Sequence, residues 1–464
     1  MKTNIKNIFF SIVIAVLGLF LRSCESIVES SPPSSVYAES ELQGKAEALR
    51  ALVTGLYTEN LTGNGGLLYY EYSYLGQPVT DDVYHNLTSA AVVELNTNTY
   101  SAANTALAYL WQESYRSIFH SNNVIRLISE TTLLTEDEKA KYIGEAKYFR
   151  AFHYFLLTSF YGNVPLITSL DIVKTTLQPR DPKETVVRFI LNDLLDAEQL
   201  LAGGDNPKVK ITEWAAKSLL ARQYLYAQKY DSAEIKANDV ITNSGYTLEA
   251  DLDKVFLRQS TETIFTSSSS GSISSYVDRT YYGYISLNNN YFRLDSNLIK
   301  SFEPNDLRAT KWVKAVSGFP HQYKYKKNAA TSTGDAEDQV FLRLAEQFLI
   351  RAEARAQRNN LPGAIADIDT IRTRAGLDKL PQTLSKEEIL LAIENERRHE
   401  LFIEEAHRWW DLTRTGRAGA ILGNKTNFPN KQWEDYKALW PVPQKEIEKN
   451  PNLEPQNPGY GEIN

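Results

Sequence analysis

The chain is 464 residues long, enough for two or three ordinary domains or one large one. With 42% apolar and 23% charged residues it falls outside the disordered and fibrous classes. A net charge of −7 excludes a basic stripe for nucleic acid, and a single Cys excludes a disulfide framework or a Cys-based zinc site.

In chain order, the first element is an address. Met1 to Ser23 carries Lys2, Lys6 and Arg22 and no acid, around an apolar run from Ile8 to Leu21. That run is short of the roughly 20 residues a membrane span needs and fits a signal-peptide core. Leu21-Arg22-Ser23-Cys24 follows, and a lone Cys there resembles a bacterial lipoprotein signal, with residues 1–23 removed and Cys24 acylated. Losing three cations takes the net charge from −7 to −10. Residues 24–40, rich in Ser with Pro32 and Pro33, read as a flexible tether, and 41–464 as one domain.

Helical periodicity dominates that domain. It predicts helices over 41–57, 106–128, 139–160 and 185–201, the third ended by Gly162 and Pro165. Residues 212–228 with 230–243, and 339–357 with 362–375, read as two helical hairpins. Two alanines recur in each at the same separation, Ala221 and Ala233 in one, Ala352 and Ala364 in the other. They are small enough to let antiparallel helices approach as in tetratricopeptide units. A long helix is expected over 386–413. Short strands are expected at 263–266, 282–287 and 322–326. The fold class is therefore mainly α, hairpins on a helical scaffold with few strands.

Two segments break the helical pattern, 62–100 and 261–335, and both concentrate Tyr with Asn, Asp and Gly. Loops on a rigid scaffold are where binding residues gather. Aromatic rings with a polar handle suit surfaces that bind amphipathic ligands, and Asn and Asp beside them supply hydrogen-bonding partners. The candidate ligand residues are Tyr72, Tyr74, Asp81, Asp82, Asn86, Tyr282, Tyr284, Asn290, Tyr291 and Trp312. The two segments are expected to lie together on one side of the scaffold.

Catalytic signatures are missing: no G-x-S-x-G, no P-loop and no dinucleotide fingerprint. His399-Glu400 opens like a zinc helix, but the next His, His407, lies about 80° round a helix and roughly 12 Å along it. No metal and no cofactor is expected. Glu396, Glu400 and Glu404 recur every four residues among Arg397, Arg408 and Asp411. That fits either an acid cluster for catalysis or buried ion pairs that brace the loops; bracing is the expectation. Two carboxylates suffice for a glycoside hydrolase, so composition alone leaves that class open.

The combination of motifs resembles the SusD/RagB family. The matching stretches are Leu342-Arg343-Leu344-Ala345-Glu346 with Ala352-Glu353-Ala354, then Ile371-Arg372 with Arg374-Ala375-Gly376-Leu377, the 396–414 segment, Trp440-Pro441-Val442-Pro443 and Gln456-Asn457-Pro458-Gly459-Tyr460. Trp111, Tyr115, Asn122-Asn123, Glu145-Ala146, Arg150-Ala151 and Tyr161-Gly162-Asn163-Val164-Pro165 extend the match to nearly the whole chain after the tether. One departure is Ala406, where Gly is usual. The resemblance implies a non-enzymatic, lipid-anchored outer-membrane protein of Bacteroidetes facing the cell surface. It implies a tetratricopeptide-like scaffold whose loop-rich face binds oligosaccharides, or in some members peptides, for a SusC-type TonB-dependent transporter. A surface glycoside hydrolase is the competing reading from another class.

Overall fold

The computed structural model describes residues 44–61, 75–85, 88–267, 292–326 and 337–461. Two compact units are distinguished, Met1–Arg50 and Ala51–Asn464. The first is described only by the turns that open helix α1 (Ala46–Leu61), and all that follows concerns the second.

Helices build the scaffold: α2 (Ala90–Thr97), α3 (Thr105–Glu130), α4 (Glu136–Tyr161), α5 (Lys183–Leu200), α6 (Glu213–Tyr226) and α7 (Tyr230–Asn243), then α8 (Leu344–Gln357), α9 (Leu361–Arg374), α10 (Lys386–Leu401) and α11 (His407–Arg414). A capping box of Thr135 and Glu138 starts α4, and one of Ser385 and Glu388 starts α10. The carboxyl-terminal half of helix α4 is buried nearly all round, and the helix lies between α3 and α5. Its phenols are wired into the interior: Tyr154 Oη donates to the Ile167 carbonyl at 2.8 Å and Tyr161 Oη to that of Leu107 at 2.5 Å. Many of the chain's tyrosines thus pack rather than bind.

The two expected hairpins are present and alike. All four of their helices are 14 residues long. The second helix of each starts at the same offset from the first, Glu213 to Tyr230 in one and Leu344 to Leu361 in the other. Gln228 (φ 57°) and Asn359 (φ 63°) make the left-handed turns between them. Ala221 and Ala233 meet in one core, which Ile350 and Ala354 of α8 complete, and Ala352 and Ala364 meet in the next. Helix α7 packs on α8, so the hairpins stack although the whole stretch from Asn243 to Leu344 separates them in the chain.

Six short strands form three antiparallel pairs among the described residues. β1 (Val83–His85) pairs β3 (Phe292–Leu294), β2 (Thr263–Thr266) pairs β6 (Val340–Arg343), and β4 (Val313–Val316) pairs β5 (Phe319–Gln322). The β2 strand lies where expected. Residues 340–343, expected at the head of a helix, extend instead to pair with β2, and the helix starts at Leu344. The strand expected at 322–326 is displaced into β5, because Ser317 (φ 52°) and Gly318 (φ 82°) turn a tight hairpin just before it. Helix α2 lies inside 62–100, where none was expected; so short a helix, with only Val92 and Leu95 buried, cannot establish a period. The expected 386–413 helix is broken in two. It stops at Leu401, and the connection carries Ile403 at φ 59° and Glu405 at φ 47°. The strand expected at 282–287 lies outside the described residues, as do the leader, Cys24 and the tether.

Candidate functional site

Glu396, Glu400 and Glu404 project inward, and their partners come from other elements rather than from along the helix. Arg308 Nη1 meets Glu396 at 2.6 Å and Glu400 at 3.1 Å. Arg343 meets Glu400 at 2.6 Å, Glu404 at 2.6 Å and Glu262 at 3.0 Å, and Arg374 meets both Glu262 and Glu400. Lys324 Nζ donates to Glu404 at 2.5 Å. Burial works against ionisation of Glu400, but Arg374, Arg343, Arg308 and Lys324 outweigh it and hold the carboxyl well below the usual range. Burial lowers Lys324 to about 8, partly offset by Glu404. All three glutamates are buried. The cluster therefore braces Arg308, Lys324 and Arg343 against α9 and α10, and its glutamates are buried away from any substrate.

The same reasoning corrects three expected ligand residues. Asp81 is buried, accepting two hydrogen bonds from Arg408 at 2.8 and 2.9 Å and facing Arg398 at 2.9 Å. Asp82 is buried against Arg398 at 2.6 Å. Burial raises Asp81, but the two guanidinium groups overcome it and hold it at about 2. These carboxylates are committed to the 396–408 arginines and are not available to hydroxyls. Trp312 is 0% exposed, packed with Phe256 and Phe402, and its indole N–H donates to the Leu252 carbonyl at 3.0 Å. It is a core residue, buried in the cluster that Val83, Leu294 and Phe402 complete. Tyr72, Tyr74, Asn86, Tyr282, Tyr284, Asn290 and Tyr291 lie outside the described residues. His399 bonds Ser301 at 2.9 Å and stacks on Phe302, while His407 lies 3.3 Å from Glu405, so the two imidazoles serve different neighbourhoods.

The two Tyr- and Asn-rich segments do meet. β1 belongs to one and β3 to the other, paired from Val83–Leu294 to His85–Phe292, and Asp295 N–H donates to the Asp82 carbonyl at 2.8 Å. Strand alternation sorts the side chains. Val83 and Leu294 face inward, into the cluster of Trp312, Phe256 and Phe402, with Val313 packed against it. Tyr84 and Arg293, directly opposed, lie on the other side, Tyr84 exposed and Arg293 half-buried. Tyr84 is 50% exposed; Phe319 of β5 is 43% exposed, and the Arg293 guanidinium lies over its ring at 3.6 Å. On the same hairpin Lys314 is exposed, with its ammonium 4.7 Å from the half-buried Tyr323 ring. An outward face of aromatic rings interleaved with cations thus lies where the segments join. Sequence reasoning misses Tyr84, Arg293, Lys314 and Phe319. The strands that present them are too short for alternation to reveal a face.

Known proteins show the same organisation. The model of the SusD family matches residues 208–460, more than half of the chain. The chain belongs to the SusD family. A second family model, described as starch-binding associating with outer membrane, matches residues 29–225 of this SusD-family protein. Among curated relatives, SusD-like protein P38 of Formosa agariphila is 25% identical over 98% of this chain and 99% of its own length. SusD-like protein P2 of the same organism is 26% identical over 97% and 99%. Among solved structures, a SusD superfamily protein from Bacteroides vulgatus aligns with a TM-score of 0.79 at 21% identity, covering 89% of this chain and 98% of that one. A laminarin-binding SusD-like protein aligns at 0.74 with 22% identity, covering 89% and 99%. The surface glycan-binding protein A of Bacteroides fluxus aligns at 0.73 with 22%, covering 90% and 100%. These solved structures share the fold, mainly helical with few short strands. The motifs of the carboxyl-terminal stretch are spent on packing, as when Asn457 donates to the Tyr161 and Trp440 carbonyls at 2.8 and 2.7 Å.

Proposed function

We propose that this SusD-family protein captures oligosaccharides at the cell surface and passes them to a SusC-type TonB-dependent transporter, anchored in the outer membrane through acylated Cys24. The observation that carries the reading is the outward face at β1, β3 and β5, where Tyr84 and Phe319 leave large parts of their rings open to solvent beside Arg293. An exposed ring offers a C–H face of a sugar the stacking surface it lacks in water. Asn86 follows β1 and Tyr291 precedes β3 directly in the chain, so these two, with Tyr72, Tyr74, Tyr282, Tyr284 and Asn290, are proposed to extend the face. A laminarin-binding relative in fold supports a saccharide ligand by analogy.

The test is titration calorimetry of the protein with a panel of oligosaccharides, beginning with laminarin and starch fragments. Tyr84→Ala and Phe319→Ala each cost about 1–3 kcal/mol of binding, by analogy with other aromatic stacking sites, with the melting temperature unchanged. Heat from peptides and none from saccharides would move the reading to peptide capture. New reducing ends on incubation would move it to hydrolysis.

A further inference from the structure

We infer that the β1–β3–β5 face selects anionic saccharides, those bearing carboxylate or sulfate, over neutral ones. This rests on the proposal that the face binds saccharide and adds a charge class to it. The chain is acidic overall, with a net charge of −7, yet the charged side chains described on this face, Arg293 and Lys314, are both cationic and lie against aromatic rings. The Arg293 guanidinium lies over the Phe319 ring, 3.6 Å from its centroid, which fixes where the charge sits. Lys314 projects from the next strand pair beside Tyr323. Among the described residues neither cation has a carboxylate within ion-pair distance.

Described acids nearby are committed elsewhere. Asp82 is bound to Arg398, and Asp253 is shared by Lys311 and Lys326. Asp295 caps the following turn, accepting from the Asn297 backbone at 2.8 Å and its side-chain amide at 2.9 Å. The face therefore offers cationic donors and ring surfaces, with no carboxylate among its described side chains. A neutral pyranose wants acceptors for its hydroxyl protons as well as donors. A uronate or sulfated ring brings its own acceptors and a negative charge, and Arg binds both groups in bidentate fashion.

The experiment uses the full chain in mild detergent, titrated at low salt with three probes: laminarin oligosaccharides, polygalacturonate fragments and chondroitin sulfate fragments. At least one anionic probe binds about tenfold or more tightly than laminarin, the ratio expected of one charge-assisted hydrogen bond, and its affinity falls as salt rises. Arg293→Gln and Lys314→Gln each weaken the anionic probe about tenfold and leave the melting temperature in place. Because chondroitin sulfate carries glucuronate as well as sulfate, its desulfated form is titrated beside it, and the difference between the two tells sulfate from carboxylate. Laminarin binding as tightly as both anionic probes overturns the charge selectivity while oligosaccharide capture stands. Anion binding that ignores both substitutions overturns the assignment to this face. Silence from all three probes and from a wider neutral panel removes saccharide capture along with it.

Discussion

Glu400 is shared by Arg308, Arg343 and Arg374 in the described interior. Removing one partner from such a cluster leaves buried charge uncompensated. Glu400→Gln is expected to cost about 3–5 kcal/mol of folding stability, read as a shift in denaturant midpoint. Trp312→Ala, which empties a fully buried site, should likewise cost about 3–5 kcal/mol and lower the melting temperature, whereas the exposed Tyr84 and Phe319 should affect binding alone. The acid repeat is readable as a periodic pattern, and so is its bracing role. That Asp81 and Asp82 are its neighbours' clients is not readable. Their partners, Arg398 and Arg408, stand near the other end of the chain. An Asp beside tyrosines looks the same in sequence whether it bonds a sugar or an Arg.

Two contacts from residues 76 and 77 meet the break between α10 and α11. Gln77 Nε2 donates to the Glu405 carbonyl at 2.5 Å, and a Cβ built on Gly76 would stand 2.5 Å from the Ala406 Cβ. Gly76 therefore makes room for Ala406, the residue that departs from the family's usual Gly. Gly76→Ala should destabilise by about 1–3 kcal/mol through overpacking, and Ala406→Gly in the same chain should restore most of it. A double-mutant cycle by thermal unfolding checks this; additive losses would show that the two positions do not compete for space. The longer helices are legible because each carries several turns of apolar period. The break is not, since 396–414 keeps its apolar stripe and only the left-handed Ile403 and Glu405 interrupt it.

Acid should weaken the whole fold. Burial lowers His153 to about 4, and burial with Arg308 and Arg398 lowers His399 to about 3, both from 6.5. Below pH 6.5 the unfolded chain takes up protons that the folded chain refuses. The stability these histidines contribute is therefore complete above pH 6.5 and is lost as pH falls toward 4 and 3, at about 1.4 kcal/mol per pH unit for each group. Glu145, raised to about 7 chiefly by burial, runs the other way: its share is present below pH 4.5 and lost as pH rises toward 7. The net expectation is a denaturant midpoint that drops between pH 6.5 and 4, with a shallower drop in His399→Gln. In cells, Cys24→Ala should release the protein from the outer-membrane fraction or stall its processing. Pull-down from native membranes should bring a large β-barrel partner through an interface of roughly 1,600 Å² or more.

The helical class, the two alanine-seamed hairpins and the family resemblance are all written in the amino-acid order. Each rests on local spacing, a helical period or a motif contiguous in the chain, which needs no knowledge of what lies opposite. The meeting of the two tyrosine-rich segments is also implied there, since neither carries enough periodic apolar surface to form a core alone. Which of their residues face out is settled only once the chain is folded. β1 and β3 are short, and they come together from opposite ends of the long stretch between Val83 and Leu294. Which side chain of so short a strand is buried depends on what packs beneath it, here Trp312, Phe256 and Phe402. That layer sends Val83 and Leu294 inward and leaves Tyr84 and, on the neighbouring hairpin, Phe319 turned toward solvent, with the half-buried Arg293 over the Phe319 ring.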